Sequence, residues 1–161
     1  MSHNADKLVL DVLSNNLTKY EEQYQRLVEG LPDILYSFSL SRGGIFYSPS
    51  VTGILGYTPE HLLNHPLLWN QSIHADDRMA VEISIRDFLL GKKFEIEYRI
   101  QHADGHWVWL RDRSISIHEH QGEFIIEGIA TDITELRHAK ERIETKNNRL
   151  YRSGEPPCQP L

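Results

Sequence analysis

The sequence predicts an α+β domain: a small antiparallel sheet with short helices on one face, flanked at both ends by amphipathic helices. Three observations carry that prediction. Alternating apolar runs separated by tight-turn residues fill the stretch from Phe94 to Thr131. Apolar residues recur at helical spacing near both termini. Between a first hairpin and the last three strands, the local signals are those of helix starts rather than strands.

At the N-terminus, Leu10, Leu13, Leu17, Tyr20, Tyr24, Leu27 and Leu31 step alternately by three and four. This is a heptad seam held for about three repeats. Such a helix either lies on its own sheet or pairs with its twin in a second chain. Ser14-Asn15-Asn16 is poor material for a coiled-coil interior, and isolated helices are marginal in water. The length of the seam nonetheless points to a homodimer.

Ile34 to Leu40 and Ile45 to Tyr47 form a predicted hairpin closed at Ser41-Arg42-Gly43-Gly44. Thr58-Pro59 then starts a short helix, with Thr58 as cap and Pro59 at its first position. Asp76 or Asp77 is expected to cap a longer helix whose inner face is drawn from Met79, Ile83 and Leu90, with Val81, Ile85, Phe88 and Leu89 beside them.

The remaining strands follow by periodicity. Phe94, Ile96, Tyr98 and Ile100 share one parity while Glu95, Glu97, Arg99 and Gln101 share the other, so this strand has one wet face. His102-Ala103-Asp104-Gly105 turns the chain, because Asp-Gly tolerates the positive φ of a tight hairpin. His106 to His118 is the next strand, and Gln121-Gly122 reverses the chain again. Phe124 to Thr131 is apolar on both faces, as expected in the middle of a sheet.

Asp132 then offers an N-cap, and Glu135 three residues on could close a capping box, so a helix starts without an intervening loop. A flexible linker would absorb a change in the sheet; a direct junction passes it on. Leu136, Ala139, Ile143 and Leu150 continue an apolar stripe on this helix, interrupted by Lys146. The expected organisation is an N-terminal amphipathic or dimerisation helix at 1-29, a sensor domain at 30-134, a C-terminal signalling helix at 135-150 and a linker or tail at 151-161. Ser153-Gly154-Glu155-Pro156-Pro157 cannot continue a helix.

Phe46-Tyr47-Ser48-Pro49-Ser50, Leu55-Gly56-Tyr57-Thr58-Pro59-Glu60, Ile73-His74-Ala75-Asp76-Asp77-Arg78, Ala103-Asp104-Gly105 with Trp107-Val108-Trp109-Leu110, and Asp132-Ile133-Thr134 occur in the order and spacing of a PAS domain. The chain resembles that family over residues 30 to 137, with a PAC-type second half from Phe94 to Glu135. It departs at Ala75, where the family usually has proline. The resemblance implies a five-stranded antiparallel sheet of order 2-1-5-4-3 and a cavity between sheet and long helix. The implied lining is Tyr36, Phe38, Leu55, Tyr57, Trp69, Ile73, Ile83, Phe88, Tyr98 and Trp109. An inward aromatic is more often core filler than ligand contact. The resemblance further implies a signal junction at Asp132, Ile133 and Thr134, with Arg111 or Arg113 as the partner of Asp132.

By the same resemblance the chain is the sensory module of a bacterial signalling protein, sending a ligand or cofactor state through the C-terminal helix. Its output domain would be a sensor histidine kinase or a cyclic-dinucleotide enzyme. The alternative is a ligand-free dimerisation or docking module. A flavin adduct of the light-oxygen-voltage type needs a pocket cysteine, and none occurs before Cys158; a covalent thioester chromophore fails for the same reason. Haem needs an axial ligand, and Asp77 to Leu90 holds no histidine, so only His61 or His65 turning inward would supply one. Noncovalent FAD, a small organic ligand such as an acid, or an empty core stay open.

Composition narrows the rest. At 161 residues with 40% apolar content, the chain can bury one sizeable core. A formal charge of −6 speaks against a nucleic-acid phosphate surface. No run approaches the roughly 20 apolar residues of a membrane span, and no signal peptide is present, so a cytoplasmic protein is expected. His118-x-His120, and His102 with His106, invite a metal, but no Cys or carboxylate joins either pair at tetrahedral spacing in the sequence, and none is expected. His138 lacks the following residues of a kinase phosphoacceptor. Neither a nucleophile elbow nor a phosphate-cradling glycine loop is present, so no catalysis is expected of this segment.

Overall fold

A helix of 28 residues, α1 (Ser2–Glu29), leads into the sheet. The structure is a computed structural model that describes the backbone of residues 2–153 and the side chains of residues 7–149. After α1 come β1 (Ile34–Ser39), β2 (Gly43–Tyr47), three short helices α2 (Ser50–Leu55), α3 (Pro59–Asn64) and α4 (Leu68–Ser72), and the longer α5 (Ala75–Leu89). The chain finishes with β3 (Glu95–Gln101), β4 (Trp107–His120), β5 (Glu123–Asp132) and α6 (Thr134–Ser153). The five strands form one antiparallel sheet of order β2-β1-β5-β4-β3, the order expected.

The turns follow their residue chemistry. Gln121 and Gly122 both have positive φ, 52° and 78°, which gives the β4–β5 hairpin the twist its strands require. Thr58 caps α3 as expected, its hydroxyl accepting the His61 N–H at 3.2 Å with Pro59 at the first helical position. The start of α5 differs from expectation. His74 is the cap, its Nδ1 accepting the Asp76 N–H at 3.2 Å, while Asp77 is drawn away to Arg99. Ala75 therefore stands at the first helical position, where a proline would fit without loss of a hydrogen bond.

The core lies between the inner face of the sheet and α2 to α5. Ile34, Val51, Leu55, Leu62, Tyr98, Ile100, Leu110 and Ala130 are all at most 2% exposed. On β4 the inward residues are Val108, Leu110 and Asp112. A bulge between Ser114 and Ser116 then breaks the alternation, leaving Ile115 outside the ladder and exposed.

The N-terminal stripe does not lie on the sheet. Leu10, Leu13, Leu17, Tyr20, Tyr24 and Leu27 are each between 59% and 69% exposed, and Val28 alone among the described residues of α1 is buried. On the outer face of the sheet Glu97, Arg99 and Arg111 are ion-paired. At the other end α6 reaches Ser153, three residues past the expected boundary. The side chain of Leu150, and the tail from residue 154 with Cys158, lie outside the described residues. No helix among the described residues is long and apolar enough to cross a membrane.

Candidate functional site

The inner face of the sheet and α4–α5 enclose a small cavity of about 60 Å³. Aromatic side chains dominate it: Tyr36 and Phe38 from β1, Tyr47 from β2, Trp69 from α4, Phe88 from α5 and Tyr98 from β3. Trp69 stacks on Tyr47 with ring centroids 5.5 Å apart and lies 6.3 Å from the ring of Tyr36. The rings therefore brace one another before any ligand enters.

At the floor of the cavity sits Asp112, 5% exposed. The Tyr36 hydroxyl donates to its Oδ1 and the Tyr98 hydroxyl to its Oδ2, both at 2.8 Å. Trp69 Nε1–H in turn donates to the Tyr98 hydroxyl at 3.1 Å. Burial pushes the carboxyl up to about 6, against the downward pull of these hydrogen bonds and of the Arg113 N–H. Burial together with the neighbouring carboxylate holds Tyr36 and Tyr98 well above the phenol range and lifts Tyr47 to about 12. Gly128 lies opposite Tyr36 in register, and a Cβ there would run into the Tyr36 ring.

Of the residues expected to line this cavity, Tyr36, Phe38, Trp69, Ile73, Phe88 and Tyr98 do so. The other four do not. Leu55 is sealed in the core at 1% exposure, and Tyr57 packs beside it and stacks on His61. Ile83 is 42% exposed because the inward stripe of α5 is Val81, Ile85 and Phe88; Met79 and Leu90 also face solvent. Trp109 falls on the outward parity of β4. Among the lining residues that sequence reasoning missed are Tyr47 and, most consequentially, Asp112. A carboxylate in step with Val108 and Leu110 was the available signal for the latter.

Trp109 belongs instead to the outer face, between two guanidinium groups. Arg99 Cζ lies 5.3 Å and Arg137 Cζ 4.5 Å from its ring. Arg99 is anchored to the first turn of α5, where Nε and Nη2 donate to the two Asp77 oxygens at 2.8 Å each and the Arg99 backbone N–H donates to Oδ2. Those bonds hold Asp77 below the usual carboxylate range. Arg137, on α6, donates to Glu97, which also accepts from Arg111 at 2.8 and 3.0 Å. A continuous set of contacts thus runs Asp77, Arg99, Trp109, Arg137, Glu97, Arg111, from the pocket helix to α6.

At the junction only Ile133, 5% exposed, separates β5 from α6. Its N–H donates to the Trp109 carbonyl at 2.8 Å, and the Trp109 N–H donates to Thr134 Oγ1 at 2.9 Å. Asp132 Oδ1 accepts the Thr134 N–H at 2.8 Å. Neither expected arginine is its partner: Arg111 is claimed by Glu97 across the β3–β4 pair, and among the described residues Arg113 makes no bond to Asp132. Nor does Glu135 close a capping box among the described residues, because α6 begins at Thr134, two residues after Asp132.

The histidines divide into surface sets. His61 and His65 stack on each other at 4.4 Å and are exposed, so neither turns into the cavity. His118 and His120 are exposed at the end of β4. At the β3–β4 hairpin the expectation that no carboxylate joins His102 and His106 is overturned: Asp104 Oδ1 lies 3.0 Å from His102 Nδ1 and 2.5 Å from His106 Nδ1. Each of the three offers one ligand atom within 4.8 Å of the others. These atoms are already engaged, since His102 Nδ1 accepts the Asp104 N–H and Asp104 accepts the His106 N–H. The set closes the hairpin on itself.

A curved antiparallel sheet and short helices around an apolar cavity, with helices leaving at both ends, define a class of small α+β cavity domains. A family model for the PAS fold matches residues 44–130, more than half of the chain, and the chain belongs to that family. A blue-light-activated histidine kinase from Brucella anthropi is 25% identical over 130 residues, covering 81% of this chain and 26% of that protein. A methyl sulfide methyltransferase-associated sensor from Methanosarcina acetivorans is 31% identical over 101 residues, 61% of this chain and 10% of that one. A solved sensory box histidine kinase/response regulator from Burkholderia thailandensis aligns with a TM-score of 0.64 at 23% identity, covering 81% of this chain and 98% of the solved one, and shows the shared fold. The chain spans about a quarter or less of the curated relatives, so it corresponds to one part of larger proteins.

Proposed function

We propose that this chain is the input module of a larger signalling protein, which takes a small ligand in the aromatic cavity and passes a conformational signal through α6 to an output domain. The observation that carries this reading is the continuous outer-face contact set from Asp77 on α5 to Arg137 on α6. Helix α5 walls the cavity through Val81, Ile85 and Phe88, so a ligand that displaces it pulls on Arg99 and hence on the Trp109 stack. A sensor histidine kinase as output accords with the Brucella anthropi relative; a cyclic-dinucleotide enzyme is the other output proposed. The exposed seam of α1 supports a homodimer paired along Leu10, Leu13, Leu17, Tyr20, Tyr24 and Leu27, in a cytoplasmic setting.

Coupling is tested by perturbing one end and observing the other. Tyr36→Phe removes a cavity hydroxyl from Asp112; amide exchange in α6 is expected to rise, and in a Trp109→Ala background the Tyr36 change is expected to leave α6 unaltered. Exchange that changes only in β1 and β4, never in α6, would refute the relay. Absorbance and native mass spectrometry of the purified chain test occupancy. A bare mass across growth conditions favours the second reading, a ligand-free dimerisation module, for which the exposed seam is the supporting observation.

A further inference from the structure

The electrostatics of the cavity restrict what it can hold. Among its lining residues Asp112 is the one formal charge, and no Lys, Arg or His lines the space with it. Its hydrogen-bond donors are the Tyr36 and Tyr98 hydroxyls and the Arg113 N–H, all neutral. The neighbouring cationic side chains are committed elsewhere: Arg111 bonds Glu97 on the outer face, and Arg113 is exposed. Hydroxyls satisfy the oxygen lone pairs without supplying a counter-charge. A buried carboxylate in that condition favours arrival of a proton or a cation.

The walls favour the same charge. Aromatic faces carry negative quadrupole density and attract cations, most effectively those with weak hydration. Tyr36, Tyr47, Trp69 and Tyr98 surround the carboxylate from β1, β2, α4 and β3, and the three tyrosines are the titratable groups among them. Each tyrosine is held protonated by burial, so none offers a competing anion. From α5 come only the apolar Val81, Ile85 and Phe88, and from β5 the apolar Ile126. A hard metal ion favours several carboxylate oxygens, whereas Asp112 is the one carboxylate here, both its oxygens already accept tyrosine hydroxyls, and Asn70 adds only a neutral amide. A small organic acid would set a second negative charge beside Asp112.

We propose that the cavity takes a small organic cation, a substituted ammonium, packed against the aromatic rings with its charge facing Asp112. This rests on the cavity being the sensory pocket. Binding exchanges the ligand for the carboxyl proton. With the carboxyl at about 6, roughly a tenth of it is ionised at pH 5 and nine-tenths at pH 7, so affinity is expected to strengthen about ten-fold over that interval.

The probes are tetramethylammonium, choline and benzyltrimethylammonium, with the uncharged alcohol in which carbon replaces the choline nitrogen as the shape control. Titrations of the full chain at about pH 5 and about pH 7 follow the Trp69 indole N–H and the β4 amides around Asp112 by NMR. At least one cation is expected to shift these signals saturably, about ten-fold more tightly at the higher pH and at least ten-fold more tightly than the alcohol. Asp112→Asn is expected to abolish the preference for charge; the pH comparison on the unaltered chain stands whether or not that variant folds. Equal binding of alcohol and cations overturns the cation inference while leaving the pocket intact. Loss of the pH dependence overturns it as well. No shift of pocket signals by any probe at millimolar concentration overturns the inference together with the pocket reading.

Discussion

Asp112→Asn exposes the buried carboxylate through the pH dependence of stability. Burial raises this group from an ordinary 3.8 to about 6 in the folded chain. Two units at about 1.4 kcal/mol each amount to about 3 kcal/mol. Between about pH 4 and about pH 6 the folded chain holds the proton and the unfolded chain has released it, so stability falls as pH rises. The contribution is whole below about pH 4 and gone above about pH 6. Asp77 and Glu97 act in the opposite sense, because hydrogen bonds from Arg99 and Arg111 lower them; their contribution is present at neutral pH and lost on acidification. Subtracting the two proteins cancels that background. The measurement is urea unfolding of the unaltered chain and the asparagine variant from about pH 4 to about pH 8, with matched slopes. The amide keeps one acceptor oxygen for a tyrosine and offers an N–H to the other. The variant is expected to gain about 3 kcal/mol on the unaltered chain across the interval. A stability difference that stays flat to within about 0.5 kcal/mol would show that Asp112 carries no such shift.

Four further outcomes follow from the packing. Thr134→Val removes the acceptor of the part-buried Trp109 N–H, which is expected to cost about 1 to 3 kcal/mol in urea unfolding; rescue by serine separates the bond from the methyl group. Asp132→Ala removes the Thr134 N–H acceptor and is expected to cost about 0.5 to 2 kcal/mol, fraying α6; unchanged amide protection from Glu135 to Ile143 would refute that role. Gly128→Ala forces the Tyr36 ring from its seat at about 1 to 3 kcal/mol, read as lost stability together with a changed near-ultraviolet aromatic spectrum. Leu17→Lys with Tyr24→Lys is expected to convert a dimer to a monomer in light scattering, and an unaltered chain already monomeric at high concentration would end the seam proposal.

The sheet was legible because its strands obey period two and its hairpins use residues that accept positive φ. Strand order was not in the periodicity; it came from the family's motifs, and β5 at the centre agrees with its apolar character on both faces. The cavity was legible where parity was clean, as for Tyr98 on β3. It was misjudged where the resemblance was followed against parity: Trp109 was among the lining residues the resemblance implied, although Val108, Leu110 and Asp112 define the inner row. The same row held the overlooked Asp112, since a charged residue in an apolar series is easily assigned to a wet face. Partners of charged groups were the least legible. Asp132 lost its expected arginine because Arg111 meets Glu97 directly across the β3–β4 pair, a choice set by strand register.

Strand β4 carries both halves of the proposed mechanism in consecutive residues. Asp112 faces inward to the tyrosines; Arg111, one residue earlier, faces outward to Glu97, which it shares with Arg137 of α6. Alternation of side chains across a strand makes this pairing unavoidable once the register is fixed. A displacement of β4 at residue 112 is therefore a displacement at residue 111, with no soft element between cavity and output helix. Two residues earlier Trp109 repeats the arrangement, holding Ile133 and Thr134 through its backbone while its ring lies between Arg99 and Arg137. Helix α6 is thus attached to β4 by hydrogen bonds of the Trp109 backbone to Ile133 and Thr134 at its start, and one turn later by Arg137, which lies over the Trp109 ring and pairs with Glu97 of β3. A change confined to either attachment would tilt the helix about the other, and a change in the twist of β4 would move both. Packed elements of this kind shift between discrete arrangements rather than bend gradually, as the proposed signalling role requires.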